Sequence, residues 1–167
     1  MKTSFLLLIG LAGLASAQTK FSAVGKCGSP DTQQAVEVGD RANHSLVVVK
    51  QSCTWTTPFE MAGVQAKTYQ VSVESDSMGA KAQDRGYVVM VMDNGDKAFV
   101  RFQGTSASKD GAPVSDEGTW SYTGGTGKLK GLTGKGTYKG AAAADGFEDH
   151  VDGEWMLPAP KAAAPKK

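Results

Sequence analysis

"SYTGGTGKLKGLTGKGTYKG", Ser121 to Gly140, decides how this chain is read. Seven of its residues are glycine and four are lysine. Such a stretch is either a cradle for phosphate or backbone that must bend sharply. The phosphate reading fails on spacing. A P-loop needs G-x-x-x-x-G-K-[ST], but Tyr122 stands where its first glycine belongs, and Leu129 follows Gly127-Lys128. A dinucleotide fingerprint fails as well, because Lys130 occupies the third glycine position after Gly125 and Gly127, and Lys139 does so after Gly134 and Gly136. Both motifs also need a helix N-terminus facing the anion, and no helical pattern follows. The bend reading fits. The run "TWSYT" enters and "GKGTYKG" leaves, with Gly124, Gly125, Gly127 and Gly131 supplying backbone angles that a Cβ would forbid. Leu129 and Leu132 are the apolar anchors, placed to plug one end of a barrel. Lys128, Lys130, Lys135 and Lys139 then face solvent.

Outward from this bend the pattern is β throughout. Ser45 to Trp55, Tyr69 to Ser75, Gly86 to Met92, Lys97 to Thr105, Gly118 to Thr123, Gly136 to Gly140 and Phe147 to Trp155 are β-branched or aromatic runs, and Gln33 to Val38 adds another. Tyr69, Val71 and Val73 alternate with Gln70, Ser72 and Glu74, which puts one face in a core. "GYVVMVM", from Gly86, is apolar on both faces, as in a doubly covered strand. Asp93-Asn94-Gly95-Asp96 reads as a hairpin turn in which both central residues accept positive φ. It lacks the ligand series of a calcium loop. The connections are too short for helical crossovers, so the strands run antiparallel. The expected fold is all-β: one closed antiparallel barrel of about eight strands.

The ends of the chain read differently. Lys2, the apolar run Phe5 to Leu14 and the small residues Ala15-Ser16-Ala17 follow the plan of a cleaved signal peptide over 1–17, with Gln18 the mature start. The run is about half the roughly 20 residues of a membrane helix, so no membrane span is expected in the mature chain. "LPAPKAAAPKK" is a Pro/Ala/Lys tail with nothing to pack, assigned to 158–167. This leaves 18–157 as the expected barrel domain of an exported chain. That segment carries 14 basic and 17 acidic side chains, the wrong sign for nucleic acid. Cys27 and Cys53 form an even pair in an oxidising compartment, so a disulfide is expected. With 25 residues between them it would contribute about 3.5 kcal/mol by loop entropy.

Little in the chain points to catalysis. His44 and His150 are the only histidines. His150 shares strand parity with Glu148, Asp152 and Glu154, a polar outer face. No ligand set for a metal converges, no cofactor is implied, and no catalytic residue is assigned. Asn43-His44-Ser45 is a glycosylation sequon, relevant only in a eukaryotic secretory route. Trp120, Tyr122, Tyr87 and Arg101 are the candidates to line a lumen, with Glu74 as an acidic partner for an inward Arg101.

The glycine stretch, followed by a strand ending "VDGEW", resembles the late hairpin of the allene oxide cyclase barrel-like superfamily, in which plant dirigent proteins carry a GGTGKF-type turn. It is more similar still to small exported bacterial proteins of that barrel type, whose D-x-G-D-K hairpin matches Asp93 to Lys97. The resemblance covers Val88 to Trp155. It implies an eight-stranded barrel, often a homo-oligomer, and in the plant proteins a lumen that holds an apolar or phenolic intermediate during cyclisation or coupling. Three functions are therefore expected to compete: non-catalytic binding of a small apolar or phenolic ligand, which the reading favours; an isomerase or cyclase; and a structural or interaction protein of the cell envelope with a filled barrel. An ionisable group with a perturbed pKa inside the lumen would favour the enzyme.

Overall fold

The structure is a computed structural model, and it describes residues 18–159. The signal-peptide assignment lies outside the described residues, as does the tail from residue 160. Ten strands form: β1 (Thr19–Cys27), β2 (Thr32–Glu37), β3 (His44–Trp55), β4 (Glu60–Met61), β5 (Val64–Met78), β6 (Lys81–Met92), β7 (Lys97–Lys109), β8 (Ala112–Gly125), β9 (Thr133–Ala143) and β10 (Gly146–Met156). Eight close a barrel in the order β1-β10-β9-β8-β7-β6-β5-β3, every pairing antiparallel. The circle is completed by β3 returning to β1 over only three pairs, Gly25 to Trp55, Lys26 to Thr54 and Cys27 to Cys53. The Cys27–Cys53 disulfide, with Cα atoms 4.3 Å apart, staples that short seam. β2 continues the line of β1 along β3 after a break at Gly28–Asp31 and has no partner on its other side among the described residues.

Period-two alternation accounts for most of this. On β8, Trp120 and Tyr122 are buried while Thr119, Ser121 and Thr123 are exposed. The expected strands all form, most of them longer than their apolar runs, because ladder hydrogen bonds continue through Ser, Thr and Gly. β1 was not anticipated: its inward positions include Ala23 and Gly25, too small to register as a hydrophobic run. β6 is not doubly covered. Tyr87 is exposed and Val89 and Val91 are half-buried on the outer face, since a barrel has a second layer on its inside only.

The two ends differ. One is plugged by Met61, Met92, Leu129 and Leu132, all fully buried. The glycine-rich stretch delivers the two leucines through a three-residue 3-10 turn, Gly127–Leu129. Gly127 has φ +52° and Gly131 φ +81°, conformations that glycine adopts without a steric penalty. The hairpin at Asp93–Asp96 locks this turn. Asp96 accepts the Lys128 N–H at 2.9 Å and an Asn94 amide hydrogen bond at 2.9 Å, while Thr126 accepts the Lys97 N–H at 2.8 Å. These bonds hold the Asp96 carboxyl below its usual range, the Lys128 N–H contributing most. The turn type differs from expectation: only Gly95 has positive φ (+85°). Met92 accepts the Gly95 N–H and donates to Asp96 O, a three-residue loop that ends in a glycine bulge. Lys128, Lys130, Lys135 and Lys139 face solvent, as expected.

The opposite end is open. Val47, Val49, Val73 and Phe147 point inward there yet stay only partly buried, so solvent reaches the lumen between the tips of the β5–β6, β7–β8 and β9–β10 hairpins.

Candidate functional site

The lumen is built by a steric rule that runs across neighbouring strands. Trp120 on β8 pairs with Gly136, Gly136 with Gly153, and Gly153 with Phe21. A Cβ on Gly136 would fall 2.6 Å from Cζ2 of the Trp120 indole, and one on Gly153 would fall 2.8 Å from its Cη2. Two missing side chains thus make the bed for one large ring. In the same way the Tyr138 ring occupies the space beside Gly104 and Gly118. Trp120 fastens itself by donating from Nε1 to Thr137 O at 3.1 Å. From it an aromatic belt runs round the barrel: Tyr122 edge-on at 4.9 Å, Phe21 at 5.7 Å, then Phe59 stacked on Phe21 at 5.0 Å, Trp55 at 4.9 Å from Phe59, and Tyr69 at 4.4 Å from Trp55.

This belt encloses a cavity of about 110 Å³, whose walls also include Val71, Val88, Met90, Val100, Phe102 and Val151. Its polar members are Asp116, Asp149 and the phenols of Tyr69, Tyr122 and Tyr138. Asp116 on β8 and Asp149 on β10 flank Gly140 on β9 in register. An Oδ1 of each lies within 2.5 Å of the point where a Gly140 Cβ would stand. The two oxygens are therefore within about 5 Å of each other, close enough for one charge to oppose the other. A third carboxylate, Asp84 on β6, sits at an inward position opposite Gly104 and is 8 % exposed. Neither Asp84 Oδ1 nor Asp116 Oδ1 has a hydrogen-bond partner among the described residues.

The electrostatics follow from that crowding. Burial, then the charges of Asp149 and Asp84, push the Asp116 carboxyl up to about 7 against a weaker opposing hydrogen bond from the Gly140 N–H. Burial raises Asp149 to about 6; the Tyr69 hydroxyl, which donates to Asp149 Oδ2 at 3.5 Å, and the neighbouring His150 pull the other way. Tyr69 and Tyr138 rise for the same first reason, desolvation, reinforced by nearby carboxylates. No lysine, arginine or histidine is among the residues that line the cavity. Near neutral pH the pair can therefore take up or release a proton, and its free oxygens can accept hydrogen bonds from a donor placed between them.

Of the lumen candidates read from sequence, the structure brings Trp120 and Tyr122 to the cavity. Tyr87, 62 % exposed, and Arg101 lie on the outer face, because the inward parity on β7 belongs to Ala98, Val100 and Phe102. Glu74 is also outside, and its ion pair is with Arg85, directly across the ladder at 2.7 Å, rather than with Arg101. Asp116, Asp149, Asp84, Phe21, Trp55 and Tyr138 were missed. The signal was available on β8 and β10: Asp116 shares parity with Trp120 and Tyr122, and Asp149 with Val151 and Trp155. His150 is exposed beside Glu148 at 3.1 Å, as its parity implied. His44 lies between Asp40 and Asp76, and its hydrogen bonds to these two carboxylates raise its pKa. No group of metal-ligating side chains occurs among the described residues.

No protein-family model and no curated protein matches the chain. Among solved structures it is similar to a protein of unknown function from the DUF3224 family of Shewanella oneidensis, at 17% identity and a TM-score of 0.52, with 86% of this chain and 100% of that chain covered. At that identity the likeness is one of fold: a β-barrel. Among the described residues no helix is long and apolar enough to cross a membrane. On the outside of the barrel Lys20, Arg101, Thr119, Lys135 and Glu154 are exposed or half-buried, and Val36, Leu46, Val48, Met78 and Tyr87 are exposed.

Proposed function

We propose that this chain is an exported barrel, of the allene oxide cyclase-like type its glycine hairpin resembles, that holds one small molecule in its lumen without transforming it. The observation that supports the reading is the aromatic cavity lined by Asp116 and Asp149 with no cationic side chain in its walls. A purely structural barrel gains nothing by facing Asp84, Asp116 and Asp149 inward, since an unpaired buried charge costs on the order of several kcal/mol even after relaxation. Size limits the occupant. A protein cavity that takes up benzene measures about 150 Å³, so the 110 Å³ here suits a body of a few heavy atoms. A phenolic ring enters only if the walls adjust or part of it stays in the open mouth. The same comparison weighs against a cyclase: the raised Asp116 carboxyl is a competent acid–base group, but the lumen leaves no space to fold or couple a larger intermediate.

Native mass spectrometry of the protein sprayed with a concentrated small-molecule extract of its own host tests the reading, because an occupant of a few heavy atoms binds too weakly to survive purification. The expected spectrum shows a retained small molecule, one per barrel, that is lost on denaturation, and it counts the subunits as well. Bare chain in every charge state would overturn the proposal.

A further inference from the structure

Resting on that reading, we infer that the occupant is cationic: a small primary amine in its ammonium form, seated with its nitrogen between Asp116 and Asp149 and its carbons against the aromatic belt. Four observations on the molecule converge on this class. The two carboxylate oxygens meet over Gly140, where the absence of a side chain leaves them facing a common space. Asp116 Oδ1 has no hydrogen-bond partner among the described residues, and neither has the buried Oδ1 of Asp84, which adds its charge to Asp116 without lining the cavity. The walls around the cavity include the rings of Phe21, Trp55, Phe102, Trp120 and Tyr138, whose faces attract a cation through their quadrupoles. Every ionisable side chain that lines the cavity is acidic or phenolic: Asp116 on β8, Asp149 on β10, Tyr69 on β5, Tyr122 on β8 and Tyr138 on β9.

An ammonium has three donors and no acceptor, which matches the two carboxylates that face the space over Gly140. It relieves the mutual repulsion of the carboxylates and the desolvation of each at once. A carboxylate or phosphate ligand would add charge of the same sign. An alcohol or phenol brings one donor and no charge. A quaternary ammonium satisfies the aromatic walls but leaves the carboxylate oxygens without hydrogen bonds. The volume agrees, because 110 Å³ accommodates an alkylammonium of about three carbons where it falls short of a benzene site.

The experiment is a titration of the exported protein, stripped of bound small molecules by dialysis, with n-propylamine, n-propanol, phenol, propionate and tetramethylammonium. Binding is read from the fluorescence of the wall tryptophans and by calorimetry. Millimolar ligand is needed, because four heavy atoms cannot support tight binding. At pH 7.5 propylamine is expected to bind at least tenfold more tightly than propanol or tetramethylammonium, and propionate not at all. The affinity should drop at least tenfold as the pH is lowered to 5, where Asp116 and Asp149 hold protons, and at least tenfold in Asp116→Asn and in Asp149→Asn, with unchanged circular dichroism certifying their fold. Propanol or phenol binding as well as propylamine does would overturn the cationic assignment and leave lumenal binding standing. Tight amine binding that ignores both the pH change and the two Asn variants would place the amine elsewhere and overturn it too. Saturable binding by none of the five would overturn the lumenal reading together with this one.

Discussion

Asp116→Asn is expected to stabilise the ligand-free barrel, by an amount that grows with pH. In the folded chain the Asp116 carboxyl is pushed up to about 7; in the unfolded chain it titrates near its ordinary value of about 3.9. Between those two values the native state keeps a proton that the unfolded state has released, so unfolding becomes easier as the pH rises. Each pH unit in that window costs about 1.4 kcal/mol. Over roughly three units the ceiling is about 4 kcal/mol, and water reaching the open mouth reduces the realised value to about 2 kcal/mol. Asparagine carries no charge to desolvate, and its amide oxygen can still accept the Gly140 N–H. Above pH 7.5 the variant should melt about 4–8 °C higher than the parent, by the usual scaling for a domain of this size, and the gap should close towards pH 4. Asp149 adds a smaller term of the same sign, and the two do not sum because they titrate as a pair. The carboxylates of Asp40, Asp96 and Asp145, all held low, act in the opposite sense and only as the pH falls below about 4. The assay is thermal unfolding by circular dichroism from pH 4 to 8 with the disulfide intact. A variant that melts below its parent at pH 8, or a gap of constant size across the range, would show that Asp116 is not a crowded, uncompensated carboxylate.

Two further substitutions probe the framework. Gly153→Ala puts a Cβ against the Trp120 ring and 2.7 Å from Lys135 O; overpacking of this kind costs about 1–3 kcal/mol, to be measured as a lower denaturant midpoint with an altered tryptophan emission, and an unchanged midpoint would contradict the account of the glycines as ring beds. Cys27→Ala with Cys53→Ala removes the staple from a seam only three pairs long and should cost about 3.5 kcal/mol, with amide exchange rising first along β1 and β3; uniform exchange across the barrel would argue that the seam is not its weak point.

The fold was legible in the sequence because its main determinants are local. Strand alternation, the Asn-Gly hairpin and the glycines at 124, 127 and 131 express backbone and solvent preferences that each segment carries by itself, and the two cysteines needed only an oxidising compartment to be paired. The location of the bend, the solvent-facing lysines and the burial of Leu129 and Leu132 all follow from such rules. The lumen obeys a different logic. Whether Arg101 or Phe102 points inward is settled by which of two alternating sets on β7 faces the lumen, Ala98, Val100 and Phe102 or Phe99, Arg101 and Gln103, which composition does not announce.

What only the tertiary structure decided is the meeting of Asp116 and Asp149. They are 33 positions apart on strands that do not pair with each other, and they come together because both flank Gly140. The same holds for Trp120, whose ring rests on Gly136 and Gly153 across two ladders. Sequence by itself determined that the chain would be a closed sheet with a plugged end, since hydrogen-bonding and burial patterns along a strand require it. Register between strands determined what the sheet encloses, because a charge or a ring acquires its neighbours only when the ladders are aligned.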